Sequence, residues 1–168
     1  LSALLAAAAA GARRIVAVDL SDEKLALAEQ LGATHLINPK NIKTDADLYD
    51  AAGGQVDYGF DMAGAVAAFD MAYKLTRRGG TTITSGLPNP KLHFPLSLSQ
   101  MVGEEREIRG SYLGSGVPAI DIGRYIDLYK AGRLPVDKLL GRTFTLDQVN
   151  EGFDHLASGS SLRDAIIF

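Results

Sequence analysis

The apolar residues in the first half of the chain follow two alternating periods. Short apolar runs, typical of strands buried on both faces, alternate with longer segments whose apolar positions recur at helical spacing. The predicted strands are residues 15–18, 35–37, 56–60 and 80–84, and the predicted helices are residues 1–10, 21–31, 44–52 and 66–75. Strands that alternate with helices of about ten residues indicate right-handed crossovers between parallel strands. The pattern therefore predicts an α/β fold with a doubly wound, mainly parallel sheet.

The second half of the chain has a less regular pattern. It predicts a turn at 87–90, a short edge strand at 91–94, a strand at 108–113, a flexible glycine-rich segment at 114–116, helices at 119–130 and 146–157, and a terminal strand at 163–168. Thr145 and Gln148 have the spacing of a capping box at the start of the last helix. The charged run at 104–107 is expected to be solvated.

The first ten residues strongly favour a helix, but nothing before them caps its first turn. Their apolar run is too short to span a bilayer and lacks the basic flank of a signal peptide. We therefore expect the chain to begin inside a larger sequence, after the first strand of the sheet. Because that strand is normally central, we expect these residues to form an altered sheet, to pair with another chain, or to be part of a longer protein, and not to form a closed six-stranded sheet.

The composition is that of a globular protein and narrows the set of partners. The 168 residues carry 17 Lys and Arg against 20 Asp and Glu, a net charge of -3, so no basic surplus points to nucleic acid. There is no cysteine, which excludes disulfides and thiolate metal ligands within this sequence. The three histidines have no metal-ligand spacing. We expect a cytoplasmic protein that does not bind a membrane.

Asp19 is the first candidate for a binding role. An acid at the end of the second strand of such a fold commonly accepts hydrogen bonds from the ribose hydroxyls of an adenine dinucleotide, and it repels a 2′-phosphate. Alternatively, Asp19 caps the loop that leads into the next helix. The usual spacing of about twenty residues between the glycine motif and this acid places the phosphate-binding glycines immediately before Leu1.

Other polar residues carry weaker signals. Lys24, in the first turn of the next helix, is a candidate for the ribose or adenine end of a nucleotide, or else a solvated lysine. Arg163 beside the terminal strand has the chemistry to clamp a pyrophosphate, or else forms a surface salt bridge. His155 is expected to interact only with the dipole of the last helix. Asp57 and Asp61 flank a strand without the further groups that a hydrolase needs.

Several separate stretches resemble the zinc-type medium-chain alcohol dehydrogenases in order and spacing. They are IVAVDLSDEKLALAEQLGATHLINP, VDYGFDMAG, LTRRGGTTITSGLP and VNEGFDHLASGSSLRDAIIF. The resemblance extends over the whole chain and implies a Rossmann-type domain downstream of the glycine motif. It also implies that residues 1–113 form the truncated dinucleotide-binding domain and that residues 114–168 return to the catalytic lobe.

The resemblance implies cofactor-binding roles for particular positions. Asp19 and Lys24 match residues at the ribose, and Arg163 matches an arginine that contacts the pyrophosphate. Three further segments match turns along the rest of the cofactor. The segment near the adenine is Met62, Ala63 and Gly64. The two near the nicotinamide are Ser85, Gly86 and Leu87, and Ser111, Tyr112 and Leu113. Two positions depart from the family pattern: Ala65 replaces an arginine found beside the adenine in some relatives, and Ser85 replaces a common valine.

The resemblance implies an NAD-dependent enzyme that interconverts alcohols and aldehydes or ketones. It also implies a catalytic zinc bound by cysteine and histidine residues outside this sequence, so no catalytic or metal-ligating residue is assigned here, and these residues alone are expected to be inactive. The alternatives are a thiol-adduct formaldehyde dehydrogenase, a zinc-free quinone reductase, or a non-catalytic nucleotide-binding module. A homodimer or homotetramer joined through the strand at 108–113 is expected.

Overall fold

The computed structural model describes residues 1–159 and 161–168. The helices among them are α1 Ser2–Ala9, α2 Asp22–Gln30, α3 Asp45–Ala52, α4 Val66–Leu75, α5 Leu98–Glu104, α6 Pro118–Lys130 and α7 Val149–Ala157. The strands are β1 Val16–Val18, β2 His35–Ile37, β3 Val56–Asp61, β4 Thr76–Thr84, β5 Glu107–Gly110, β6 Leu140–Thr145 and β7 Arg163–Ile167. Helices and strands alternate up to β4, as the sequence pattern predicts.

The strands pair in parallel but do not form one continuous sheet. β1 pairs with β2, β4 lies between β3 and β5, and β6 pairs with β7. The predicted α/β class with parallel strands is confirmed, and of the outcomes expected for the sheet the described strands show an altered one. β1 and β3 each have a single paired neighbour among the described strands, so the other edge of each presents backbone groups that a ladder would satisfy.

A shared apolar cluster links the first two sheets. Ile37 of β2 and Leu75 of α4 are buried together with Leu48 and Ala52 of α3, and Val16 and Val56 pack against them. The guanidinium of Arg14 donates to the carbonyl oxygens of Gly53 and Gln55, immediately before β3. The first residues of β1 and β3 therefore lie against the same core.

Local polar contacts fix where the helices begin. The Ser21 hydroxyl accepts a hydrogen bond from the Lys24 amide at the start of α2. Thr44 and Asp47 form a capping box at the start of α3, which ends at Gly53 in the left-handed conformation. The Ser21 cap lets α2 begin at Asp22, shortly after β1 ends at Val18, as the polar residues 21–23 predict.

The C-terminal segment packs back on the first two helices. Leu5 of α1 and Leu31, at the end of α2, are buried against Leu134 and Leu139. The Arg133 guanidinium donates to the Ala9 carbonyl oxygen at 2.9 Å. This contact brings β6, α7 and β7 next to the carboxyl end of β1.

Several local predictions were wrong. Residues 91–94 form no strand, and the strand predicted at 108–113 is β5, Glu107–Gly110, followed by a 3₁₀ turn at Leu113–Ser115. The pattern missed α5 and β6, whose short polar sequences have no clear period. The charged run is not wholly solvated either, because Arg106 is only 8% exposed and stacks on the ring of Tyr73.

Candidate functional site

Asp19 follows β1 directly and lies at the carboxyl end of that strand. Its amide donates to the Ile37 carbonyl oxygen at 3.2 Å, which continues the ladder with β2 by one residue. Its Oδ1 accepts the Ser21 amide at 2.9 Å and so turns the chain into α2. Asp19 therefore does act as a loop cap, through one oxygen, while its half-buried side chain also faces a cavity.

That cavity brings together three of the predicted site residues. It has a volume of about 710 Å³, and its polar wall includes Asp19, Lys24 and Arg163. Arg163, the first residue of β7, donates to the hydroxyl of Ser2, which also lines the cavity, at 3.2 Å. A carboxylate and two cations thus converge from β1, α2 and β7, although their positions in the sequence are far apart.

The cavity also has apolar lining residues. Phe144 of β6 and Val149, Phe153 and Leu156 of α7 line it, together with Ile166 of β7. A cavity that combines apolar side chains with a few convergent charged groups is the usual form of a small-ligand or cofactor site. The arrangement suits a ligand that has an apolar face, hydroxyl groups and negative charge.

The other predicted residues form a second group at the carboxyl edge of the three-stranded sheet. Met62–Gly64 follow β3, Ser85–Leu87 follow β4, and Ser111–Leu113 follow β5. The Ser85 amide donates to Asp61 at 3.0 Å and the Ser111 amide to Thr84 at 2.9 Å, so these turns leave the sheet side by side. None of the nine residues is among those that line the cavity.

Side chains in this second group are unusually exposed. Leu87 and Leu113 are more than four-fifths exposed, and Met62 and Tyr112 are at least half exposed. Leu113 and Ser115 both have positive φ, 48° and 52°, on either side of Gly114 at 72°. This left-handed turn presents an apolar edge next to backbone groups, at the position where ligands bind in open α/β sheets.

Asp61, considered from the sequence only as a possible hydrolase group, is a functional candidate whose role in a turn was missed. It is 4% exposed at the end of β3. Its Oδ1 accepts the amides of Ala63 and Gly64 at 3.0 and 3.1 Å, and its Oδ2 accepts the Thr84 hydroxyl at 2.9 Å. One buried carboxylate therefore fixes the turn after β3 and ties it to β4. The signal was an acid at a strand end with two small residues, Ala63 and Gly64, two and three positions later.

A second missed cluster lies behind Arg163. Asp164 pairs with Nδ1 of His155 at 2.7 Å and accepts the Ser161 hydroxyl at 2.8 Å. The hydrogen bond from His155, followed by the one from Ser161, lowers the pKa of the Asp164 carboxyl below its ordinary value. His155 was interpreted as a partner of the helix dipole alone, whereas its partner in the fold is this carboxylate.

The described residues do not fit a zinc site. Within residues 1–159 and 161–168, no three histidine, cysteine, aspartate or glutamate side chains are grouped so as to hold a metal ion. No described helix is long and apolar enough to cross a membrane.

Comparison with known proteins places this architecture in a family. Residues 1–131 match the family model described as zinc-binding dehydrogenase. The chain is 33% identical over 168 residues to S-(hydroxymethyl)glutathione dehydrogenase of Paracoccus denitrificans, covering 95% of this chain and 44% of that protein. It is 34% identical over 171 residues to the NDMA-dependent alcohol dehydrogenase of Amycolatopsis methanolica, covering 99% and 46%. The chain thus spans less than half the length of these relatives.

Solved structures agree with the sequence comparison. Benzyl alcohol dehydrogenase from Acinetobacter calcoaceticus superposes with a TM-score of 0.90 at 29% identity, over 98% of this chain and 45% of that one. A zinc-binding-domain alcohol dehydrogenase from Burkholderia ambifaria superposes with a TM-score of 0.89 at 32% identity, over 96% and 44%. The fold is that of a Rossmann-type α/β protein. The chain belongs to the zinc-binding dehydrogenase family.

Proposed function

We propose that this chain is the cofactor-binding part of an NAD-dependent oxidoreductase that interconverts alcohols and aldehydes or ketones by hydride transfer. The single observation that carries the proposal is the convergence of Asp19, Lys24 and Arg163 on one cavity. Membership of the zinc-binding dehydrogenase family supports the reaction class.

The donor set of the cavity fits the adenosine half of NAD. The Asp19 carboxylate at the carboxyl end of β1 is placed to accept hydrogen bonds from the two ribose hydroxyls, and its charge opposes a 2′-phosphate. Lys24 lies in the first turn of α2, where its ammonium group supplies positive charge beside the same ribose. The Arg163 guanidinium has the planar fork that pairs with a diphosphate, whereas a lysine there would act only as a point charge.

The nicotinamide half is assigned to the carboxyl edge of the β3–β5 sheet. There, backbone groups of Ser85–Leu87 and Ser111–Leu113 are placed to bind the carboxamide, and Met62–Gly64 line the passage of the cofactor. When bound, the nicotinamide supplies the hydride acceptor and donor. The protein's part at this edge is to orient the ring and to cover it from water. We assign no catalytic acid, base or metal ligand to the described residues, and no step to a zinc ion.

A second candidate is a dehydrogenase of the glutathione adduct of formaldehyde. The relative from Paracoccus denitrificans, named S-(hydroxymethyl)glutathione dehydrogenase, favours it. The NAD site would be the same in both enzymes. Comparing the rate of NADH formation with benzyl alcohol and with the glutathione adduct of formaldehyde therefore distinguishes the two candidates. We further propose a homodimer or homotetramer that joins through β5, which pairs only with β4 among the described strands.

The test is a titration of the folded full-length protein with NAD and with NADP, followed by an assay of NADH formation with a panel of alcohols. We expect NAD to bind more tightly than NADP and alcohols to be oxidised. A folded protein that binds neither dinucleotide contradicts the proposal and leaves a module of another kind.

A further inference from the structure

We propose that Asp164 and His155 are positioning residues that hold Arg163 in place for the diphosphate of the cofactor. The inference rests on the proposed function, since it needs a diphosphate ligand in the cavity. Neither residue is assigned contact with that ligand. Both act through the backbone of β7, of which Arg163 is the first residue and Asp164 the second.

The Asp164 carboxylate joins three separate parts of the fold. Its Oδ1 accepts a hydrogen bond from the Arg142 amide of β6 at 2.9 Å. Its Oδ2 lies 2.7 Å from Nδ1 of His155 in α7 and accepts a hydrogen bond from the Ser161 hydroxyl at 2.8 Å. The side chains of Asp164 and His155 are only 13% and 18% exposed. The segment that carries Arg163 is therefore anchored on both sides by one half-buried carboxylate.

The backbone of β6 is shaped around this carboxylate. The register of β6 against β7 shifts between Leu140 and Thr143, and the Arg142 amide within that irregularity is the one bound to Asp164. A Cβ atom built on Gly141 would lie 2.5 Å from the Asp164 Oδ1. Glycine at 141 thus leaves the space that the carboxylate occupies, and Leu140 remains paired with Arg163.

Fixing the backbone here matters because Arg163 is otherwise weakly held. Its side chain is exposed, and its hydrogen bond is to the Ser2 hydroxyl at 3.2 Å. A guanidinium can bind a diphosphate in two parallel hydrogen bonds, and ordering the backbone and the long side chain that carry it costs free energy on binding. The anchor already holds the backbone beside Arg163 in place, so that on binding only the side chain has to be ordered.

The negative charge of Asp164 and its positioning role predict opposite effects on the affinity for the diphosphate, which makes the inference testable. Asp164 also lines the cavity, so a carboxylate that merely repels the diphosphate would weaken binding, and its neutralisation would strengthen binding. A positioning role predicts the reverse: the isosteric Asp164→Asn change weakens binding, because the amide cannot accept all three hydrogen bonds.

The experiment compares Kd values of the full-length protein for NAD and for adenosine, which lacks phosphates. Asp164→Asn and His155→Gln should each weaken NAD binding about tenfold while leaving adenosine within about twofold. Asp154→Asn, on the exposed part of α7 next to His155, is the control and should change neither. Ser161→Ala is the second variant in case Asp164→Asn does not fold. It removes one of the three hydrogen bonds to Asp164 and should weaken NAD binding by a smaller factor.

A double-mutant cycle distinguishes positioning from a general structural role. In an Arg163→Ala background, Asp164→Asn should cause no further loss of NAD affinity, since the residue through which it acts is gone. Additive losses, equal losses for NAD and adenosine, or tighter NAD binding would each overturn the inference and leave the cofactor assignment intact. Absence of NAD binding by the folded wild-type protein would overturn both.

Discussion

The backbone of Gly86 lies against the backbone of Gly64, so that a Cβ atom built on Gly86 would stand 2.1 Å from the Gly64 nitrogen and 2.3 Å from its Cα. Gly64 itself has a φ of 67°, a conformation that favours glycine. The two glycines let the turns after β3 and β4 touch directly. Both turns belong to the edge that we assign to the nicotinamide half of the cofactor.

Replacing Gly86 by alanine should therefore separate the two turns. Because the obstructing atoms are backbone rather than a flexible side chain, we expect the free energy of unfolding to fall by about 2 kcal/mol and NAD affinity to fall with it. Gly110→Ala, at the end of β5, is the matched control, since a Cβ there meets nothing within 4 Å. Urea unfolding and NAD titration of both variants decide the matter: equal effects would contradict this account of Gly86.

Asp61 should be required for the shape of the same edge. Asp61→Ala leaves two amides and the Thr84 hydroxyl without their acceptor, and each such loss costs about 1–3 kcal/mol when the group stays buried. Asp61→Asn should retain much of the stability, because its amide oxygen can accept both backbone amides while its NH₂ group donates to Thr84.

The control for Asp61 is Asp57 in the same strand. Asp57 is exposed and pairs with Arg77, so Asp57→Ala should change thermal stability far less. Similar melting temperatures for the two alanine variants would show that the buried carboxylate of Asp61 does not hold the turn.

The sequence predicted the parts of the fold that depend on local pattern. The helix at 66–75 has the predicted bounds, and Thr44 caps α3 as a polar residue before a helical segment should. Asp19 could be located because an acid at the end of a short apolar run is a local signal.

Features that depend on tertiary contacts could not be predicted from a single sequence. The charged neighbours of Arg106 predict that its side chain is solvated. It is nevertheless buried, because it stacks on the ring of Tyr73 in α4 and donates to the backbone carbonyl oxygen of the same residue. His155 and Asp164 are nine positions apart on different elements, and only the packing of α7 on β7 brings them together. Strand β6 is mostly exposed and has no apolar alternation to reveal it.

Asp19→Asn should change the choice between dinucleotides. The amide oxygen can still accept the Ser21 amide, so the turn into α2 is preserved, while one acceptor for the ribose and the charge that opposes a 2′-phosphate are lost. We expect the Kd for NAD to rise about tenfold and that for NADP to rise less or to fall. Glu29→Gln, exposed at the far end of α2, is the control. An unchanged ratio of the two Kd values would remove Asp19 from this role.

Arg106→Ala should destabilise the region around α4 and α5. The guanidinium lies 4.6 Å from the centre of the Tyr73 ring, donates to the Tyr73 carbonyl oxygen, and lies beside the Glu104 carboxylate. Removing the guanidinium should cost about 2 kcal/mol, because the Tyr73 carbonyl oxygen loses its donor and the Glu104 carboxylate, which is 25% exposed, loses its counter-charge. Arg109→Ala removes an exposed arginine of β5 and should have a much smaller effect on the urea midpoint. Comparable midpoints would indicate that Arg106 is solvated after all.

The carboxyl of Asp164 should make stability depend on pH in the acid range. Hydrogen bonding by His155 and Ser161 lowers its pKa in the folded protein below the ordinary value of 3.8. A carboxyl whose pKa is lowered by folding contributes stability above its unfolded pKa and loses that contribution as the pH falls through the folded value. The difference in unfolding free energy between the wild-type protein and Asp164→Asn should therefore be steady near pH 5 and shrink below about pH 4. The difference in unfolding free energy between the wild-type protein and the control Asp154→Asn should stay small at every pH. If the wild-type protein remains more stable than Asp164→Asn by the same amount down to about pH 2, protonation of this carboxyl does not break the anchor behind Arg163.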